Sequence, residues 1–288
     1  MVSIGIIGAG VVGVATGIGF QELGHKVIFY DISQKKLDIL NSKNLLVAKN
    51  VEDLILRSDI TFVCVNTPTV NGEQDLNQIY STLMVCAQSL NKIRNFHLLV
   101  YRITCLPGTM KKIVNFIEKN CNKKRGSDYD ICYNPEFLRE KSSLEDFRNP
   151  DRVIIGTDRK NSTLLQEIYQ NFTKNIITTN FETAEMIKYV SNCFLSLKIS
   201  FFNEMGMICK NLGIDDRMVS KAVSLDRRIG EYGTIFGQPF DGSCLPKDTQ
   251  AFASFIKKLD IKPDILQVVL DINENITRMN QEMIKSSV

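Results

Sequence analysis

Three groups of residues in this 288-residue chain have types and spacings that could do chemistry. The first is Gly8-Ala9-Gly10-Val11-Val12-Gly13, which fits G-x-G-x-x-G. It follows an apolar run from Ser3 to Ile7, opens a helical pattern, and leads to a second apolar run that ends in Asp31. That order suits a dinucleotide. Gly8 permits the tight turn, Gly10 lets the backbone approach a pyrophosphate, and Gly13 lets helix and strand pack closely. The helix that begins at Val11 and Val12 offers unpaired N–H groups to the phosphates. Asp31 would accept hydrogen bonds from ribose hydroxyls and repel a 2′-phosphate, which favours NAD over NADP.

The second group is the cysteines, at positions 64, 86, 105, 121, 132, 193, 209 and 244. The closest two, 121 and 132, are eleven apart, so CxxC and zinc-type spacings are absent and no metal site is expected. Several lie inside apolar runs, as Cys64 does in Thr-Phe-Val-Cys-Val. Seven of the eight read as reduced, buried cysteines of a cytoplasmic protein. Cys244 stands apart because of its neighbours, Gly242-Ser-Cys-Leu-Pro-Lys-Asp248. The third group is Lys188 and Asn192, four apart and so on one helix face. Presented together they can stabilise an oxyanion. Taken alone, the pair reads first as an ordinary solvated helix face.

The elements that must position these groups alternate in the first half of the chain. Ser3–Ile7, Lys26–Tyr30, Asp59–Val65, Leu98–Ile103, Tyr129–Tyr133, Arg152–Gly156 and Asn175–Thr178 read as strands. Helical patterns at Leu37–Leu40, Leu76–Leu90, Thr109–Lys119 and Ser162–Asn171 separate them. Such alternation predicts an α/β fold, a Rossmann-type doubly wound parallel sheet. From about Phe181 the pattern becomes helical: Thr183–Asn211 ending at Gly213, then Arg217–Val223, then helices to Val288. A Gly- and Pro-bearing loop interrupts them from Gly230 to Pro246. The last helix, Asp264–Met283, places Leu266, Val269, Leu270, Asn273, Ile276 and Met283 near one side. The expected division is residues 1–180, an NAD-binding domain, and residues 181–288, an all-helical domain with a long C-terminal helix.

Composition is that of an ordinary globular protein, 44% hydrophobic and 23% charged. A net charge of +3 is too mild to argue for nucleic acid. The N-terminus lacks the pattern of a signal peptide, and apolar runs such as Ile60–Val65 are far short of a membrane span. The expectation is a cytoplasmic protein with no membrane partner. His25 and His97 fall in no motif and read as turn or surface residues.

Beyond the glycine motif, six blocks carry a wider resemblance. They are Cys64-Val-Asn-Thr-Pro-Thr69, Tyr133-Asn-Pro-Glu-Phe-Leu-Arg-Glu140, Pro150-Asp-Arg-Val-Ile-Ile-Gly156, Glu185-Met-Ile-Lys-Tyr189 through Asn192, Lys198-Ile-Ser-Phe-Phe-Asn-Glu204 and Gly242–Asp248. In content and order the chain resembles the UDP-glucose/GDP-mannose dehydrogenase family. The resemblance implies an NAD-dependent oxidation of a nucleotide-sugar 6-alcohol to the carboxylate, through an aldehyde captured by a cysteine and a thioester that water hydrolyses.

By resemblance Cys244 is the nucleophile and Lys188 with Asn192 the oxyanion pair. Asp248 tunes the cysteine or activates water, Glu140 is the acid–base carboxylate, and Thr104 helps hold a water. Ile103 stands where the family usually has serine. Phe137, Leu138, Arg139, Glu140 and Gly242 would line the sugar together with Lys188 and Asn192. Arg228 would meet the substrate phosphates, and Arg227 beside it stands where the family usually has another residue. Lys36, Thr67, Thr104 and Lys247 join Gly8, Gly10, Val11, Val12, Gly13 and Asp31 in the NAD set. Asn203 and Glu204 lie too far along the helix for the same site and read as packing residues.

Family members continue into a second Rossmann-like domain that holds much of the nucleotide. No such pattern follows Asp264, so the resemblance implies a chain without the UDP-binding domain, either a shortened form or a compact natural one. The wording of the blocks leans toward UDP-glucose and its product UDP-glucuronate, a precursor for a surface polysaccharide. The alternatives are UDP-N-acetylmannosamine, UDP-N-acetylgalactosamine or GDP-mannose, or a non-catalytic NAD-binding core. A homodimer through the helical domain is the expected assembly.

Overall fold

The computed structural model describes residues 1–159 and 162–286. The first elements are β1 (Ser3–Ile7), α1 (Val11–Glu22), β2 (Lys26–Tyr30), α2 (Gln34–Ser42), β3 (Leu46–Val47), α3 (Val51–Leu56) and β4 (Ile60–Val63). A hairpin, β5 (Thr69–Val70) and β6 (Glu73–Gln74), precedes α4 (Asn77–Leu90), β7 (His97–Tyr101), α5 (Thr109–Asn120) and β8 (Tyr129–Tyr133). Next come α6 (Ser143–Arg148), β9 (Val153–Gly156), α7 (Thr163–Tyr169) and β10 (Ile176–Thr179). Four helices follow: α8 (Phe181–Leu212), α9 (Asp216–Ser224), α10 (Leu245–Lys257) and α11 (Asp264–Ser286). The chain divides into two compact units. One comprises Met1–Pro68 and Asp75–Lys188; the other comprises Thr69–Gln74 and the chain from Tyr189 onward.

In the first unit eight strands form one sheet in the order β10-β9-β8-β7-β4-β1-β2-β3. The pairings are parallel except at β8 and β9, which meet antiparallel at Tyr133 and Gly156. Strands β4, β7 and β8 are buried throughout, as expected of central strands covered on both faces. Alternate residues along each strand feed two cores. Ile7, Val63, Leu99, Tyr101 and Ile131 pack on one face with Leu83, Leu90 and Ile113. Ile4, Ile6, Phe62, Leu98, Val100 and Cys132 pack on the other with Phe20, Phe147 and Tyr169. The strand order reverses between β1 and β4, and β1 leads directly into the glycine loop, so this loop lies at the topological switch point.

In the second unit α8 stops where the glycine signal falls. Gly213 adopts φ +66° and the Ile214 N–H reaches back to the Cys209 carbonyl at 2.9 Å, a Schellman closure. On α11 Val269 and Ile276 are buried, but Met283 is 51% exposed and leaves the predicted stripe. The hairpin Thr69–Gln74 belongs to this unit, and it went unread although Asn71-Gly72, at φ +52° and +78°, is a strong local hairpin signal. Also unread were β3 and α3, of two and six residues, too short to show a period. Among the described residues no helix is long and apolar enough to cross a membrane.

His97 corrects the sequence reading. It is a core residue of β7, 1% exposed, with its ring nitrogens 3.0 Å from the Ser58 carbonyl and 3.0 Å from the Thr61 hydroxyl. Burial pulls its imidazole down to about 4, against a weaker upward pull from the Ser58 carbonyl.

Candidate active site

The glycine loop has the geometry its chemistry needs. Gly8 sits at φ +98°, and a Cβ there would lie 2.6 Å from the Cys64 carbonyl oxygen. A Cβ on Gly13 would fall 1.9 Å from the Gly8 carbonyl oxygen, so α1 and the loop pack at a distance only glycine allows. Gly10, the N-cap of α1, faces open space instead, and no side chain caps this helix start. Val11 is exposed and Val12 half-buried beside it. These free N–H groups and the uncrowded Gly10 fit a pyrophosphate.

Asp31 closes the β2 end and is 6% exposed. Its carboxylate accepts from the Ala9 N–H at 2.8 Å, the Ser33 N–H at 2.9 Å and the Lys36 ammonium at 3.0 Å. Burial opposes its charge, but the Ser33 N–H, Lys36 and the Ala9 N–H outweigh it and hold the carboxyl below the ordinary aspartate range. An ionised carboxylate tied to the glycine loop fits a ribose diol. Lys36 reaches the loop only through this ion pair. Thr67 and Thr104 are both buried in the same unit.

The carboxylate that Lys188 meets is Glu136. The Lys188 Nζ lies 2.6 Å from the Glu136 carbonyl and 2.9 Å from its Oε1, and both side chains are almost fully buried. Burial works against the charge on Glu136; Lys188, the Leu138 N–H and Arg102 overcome it and lower its carboxyl below the usual range. The Phe137 ring lies beneath two cations, 4.2 Å from the Arg152 guanidinium and 5.3 Å from the Lys188 ammonium. Glu140 is exposed on a 3-10 turn, Glu140–Ser142. Leu138 is half-buried, and the exposed Arg139 is bridged to Asp146. Glu136 and Glu140 stand in one sequence block, and nothing local distinguishes them; the contact with α8, fifty-two residues away, does.

Arg102 was also missed. It is 6% exposed, and its guanidinium donates to Thr16 at 2.9 Å and to Asn134 at 2.5 Å, which in turn donates to the Ile154 carbonyl at 2.8 Å. Asn134 lies two residues before Glu136, so this buried cation anchors the segment that carries the carboxylate. Arginine in an apolar strand is the signal that was available.

In the second unit all the cysteines but one are buried. None of the eight is in a disulfide, and Cys244 alone is partly exposed. It is the N-cap of α10, with Pro246 in the first turn and its carbonyl accepting the Asp248 N–H at 3.0 Å. A negative charge at that end of the helix is favoured by the aligned peptide dipoles. One turn on, Asp248 is 1% exposed and accepts from Asn192 at 2.6 Å and from Lys247 at 2.5 Å. Thus Lys247 and Asn192 both meet a single carboxylate. Gly242 is exposed at φ +80°, and Arg228 is an exposed residue bridged to Asp226 at 2.6 Å. Asn203 is buried and donates to the Gln238 carbonyl, while Glu204 is exposed. Among the described residues no cluster of His, Cys, Asp and Glu could hold a metal.

A glycine loop at a switch point and a carboxylate at the end of β2 define a dinucleotide-binding protein of the Rossmann class, here carrying a presented cysteine in its helical unit. Comparison narrows the class. Residues 2–55 and 38–173 match the NAD binding domain of the UDP-glucose/GDP-mannose dehydrogenase family, and residues 182–275 match its central domain. The chain belongs to this family, and its cofactor is NAD.

UDP-glucose 6-dehydrogenase TuaD of Bacillus subtilis (strain 168) is 36% identical, over 95% of this chain and 63% of its own length. GDP-mannose 6-dehydrogenase of Pseudomonas aeruginosa is 33% identical, over 98% and 71% respectively. Among solved structures, a UDP-glucose dehydrogenase from the archaeon Pyrobaculum islandicum superimposes with a TM-score of 0.90 at 33% identity, covering 100% of this chain and 71% of that one. The chain therefore spans roughly two thirds of the length of its relatives.

Proposed function

We propose that the protein oxidises the 6-alcohol of a nucleotide sugar to the carboxylate, with UDP-glucose as substrate and UDP-glucuronate as product. The observation that carries this reading is Cys244: the one partly exposed thiol of eight, at a helix N-terminus one turn from the Asp248, Asn192 and Lys247 cluster. NAD, when bound, supplies the acceptor for the two hydrides that an alcohol gives up on becoming a carboxylate.

Cys244 Sγ forms a bond to the aldehyde carbon and later leaves it, when water adds its oxygen to the thioester and a proton returns to sulfur. Two of the three Lys188 N–H donors go to Glu136, which leaves one for the oxygen that becomes charged, and Asn192 has a second N–H for the same task. Asp248 takes a proton from the attacking water. Glu136, held against Lys188, serves as the acid–base carboxylate, with Glu140 left to contact the sugar along with Phe137, Leu138, Arg139 and Gly242. Thr104 steadies water, and Arg228 meets the substrate phosphates once released from Asp226.

The names of the Bacillus and Pyrobaculum relatives support UDP-glucose. The Pseudomonas relative, matched over nearly the whole chain, makes GDP-mannose the second substrate to try. Free thiols and the demand for NAD suit the cytoplasm. Along α8 the apolar Val190, Phe194, Phe201, Ile208 and Leu212 are exposed at near-heptad spacing, which supports a homodimer through this helix. Sedimentation as a monomer would remove that part of the reading.

The test is NADH formation at constant UDP-glucose and excess NAD, with Cys244→Ala beside the wild type. The expected yield is about two NADH per sugar for the wild type, with the second oxidation lost in the variant. A wild type that binds NAD yet oxidises neither UDP-glucose nor GDP-mannose makes the chain a non-catalytic core.

A further inference from the structure

The loop that delivers Cys244 to α10 is held from α8 and α11 by asparagine side chains. Asn203 Nδ2 donates to the Gln238 carbonyl at 2.8 Å, and Asn280 Nδ2 donates to the Gly237 carbonyl at 2.9 Å. Asn273 does more. Its Oδ1 accepts the Phe240 N–H at 2.7 Å while its Nδ2 donates to the Phe240 carbonyl at 3.0 Å. One amide thus takes both backbone groups of one residue, as a neighbouring strand would, and fixes position and orientation together.

Asparagine is a poor choice in a helix interior, because its side chain competes for backbone hydrogen bonds. Asn273 nevertheless stands on the face of α11 that buries Val269 and Ile276, where an apolar residue would be the ordinary occupant. Phe240 is itself 3% exposed, so its ring is fixed as well as its backbone. Only Asp241, Gly242 and Ser243 then separate a clamped residue from the N-cap of α10. With three residues between two fixed points, one of them Gly242 at φ +80°, the sulfur has little freedom of place.

We propose that Asn273 is a positioning residue for the Cys244 thiol: through Phe240 it fixes the chain that enters α10 and so keeps the sulfur at the helix's N-terminal end. The proposal rests on Cys244 being the nucleophile.

The experiment follows carbamidomethylation of Cys244 by iodoacetamide in the full chain, without sugar or NAD, as a function of pH. Wild type is compared with Asn273→Ala, Asn273→Asp and Asn280→Ala. In Asn273→Ala the pH midpoint of the alkylation rate should rise by about one unit, because a loosened N-cap no longer stabilises the thiolate. The same variant should lose about tenfold or more in kcat while NAD affinity is unchanged. Asn273→Asp, which keeps the acceptor but loses the donor, should shift the midpoint in the same direction. Asn280→Ala, whose bond lies seven residues before Cys244, should leave it in place. A wild-type profile in folded Asn273→Ala overturns the proposal, and so does an equal shift in Asn280→Ala, which would mean general loosening. If Asn273→Ala does not fold, the Asn273→Asp profile decides in the same way. Because alkylation requires no turnover, a wild-type chain inactive on every nucleotide sugar would sink the proposed function and leave this result readable.

Discussion

In the first unit the buried polar side chains are hydroxyls and amides together with Asp31, His97, Arg102, Arg125, Asp130, Glu136, Glu185 and Lys188, groups that carry or can carry charge. In the second unit, among the described residues, they are Asn192, Ser196, Ser200, Asn203, Thr234 and Thr249, with Asp248 the single charge. The difference follows from what each unit must hold. The first builds its site at strand ends, where a parallel sheet satisfies its own backbone and side chains are free to pair with one another. The second holds an irregular loop whose carbonyls accept from the Asn203 and Asn280 amides, which cost less to bury than charges do, and, at its more exposed start, from the Lys198 ammonium. Charges brought together over long sequence separations suit proton chemistry and are sensitive to pH; amides and hydroxyls suit fixed geometry and are not.

The largest expected effect breaks a buried pair in the first unit. Lys188→Met leaves Glu136 without its cation and should cost about 3–5 kcal/mol in urea unfolding, with much of the loss recovered when Glu136→Gln is added. A cost near zero would show that this pair is not buried as a unit.

Next in size is a pair of opposite pH effects. His97 is neutral in the folded state down to about pH 4, whereas an unfolded histidine binds a proton below about 6.5, so its stability contribution is lost as pH falls across that window. Glu185 runs the other way. Burial pushes its carboxyl up to about 7, despite backbone N–H bonds from Met110 and Gly108 that favour the charge. The folded state then keeps a proton that the unfolded state releases, and stability falls as pH rises from about 4.5 to 7. Relative to the wild type, His97→Gln should gain about 3 kcal/mol as pH drops from 6.5 to 4, and Glu185→Gln should gain a similar amount as pH rises from 4.5 to 7. Parallel stability curves for all three proteins would remove both assignments.

The smallest effect belongs to the second unit. The Thr249 hydroxyl donates to the Leu245 carbonyl at 2.8 Å and lies 2.9 Å from the Ser196 hydroxyl. Thr249→Val should cost about 1 kcal/mol and, unlike the others, by the same amount at every pH. A pH-dependent cost would blur the contrast between the units.

Much of the first unit could be read locally. The glycine motif, Asp31 and strands β1, β2 and β8 fall where their residues predict, because a turn needs φ above zero at Gly8 and central strands need unbroken apolar runs. Residues whose meaning depends on a distant partner were harder. His97 looks like a turn or surface residue until Ser58 and Thr61 are placed beside it. Glu136 is told apart from Glu140 only by the ammonium of Lys188, which reaches it from α8.

What the sequence determined by itself is the family, the dinucleotide site and the cysteine that differs from the other seven, since each is written in consecutive residues. What the tertiary structure decided is which groups pair: Glu136 with Lys188, Asn192 and Lys247 with Asp248, and Asn273 with Phe240. These partnerships join positions up to fifty-six residues apart, excepting the neighbours Lys247 and Asp248. No local pattern encodes them, because a hydrogen bond is specified by where two side chains are brought in space and not by their spacing along the chain.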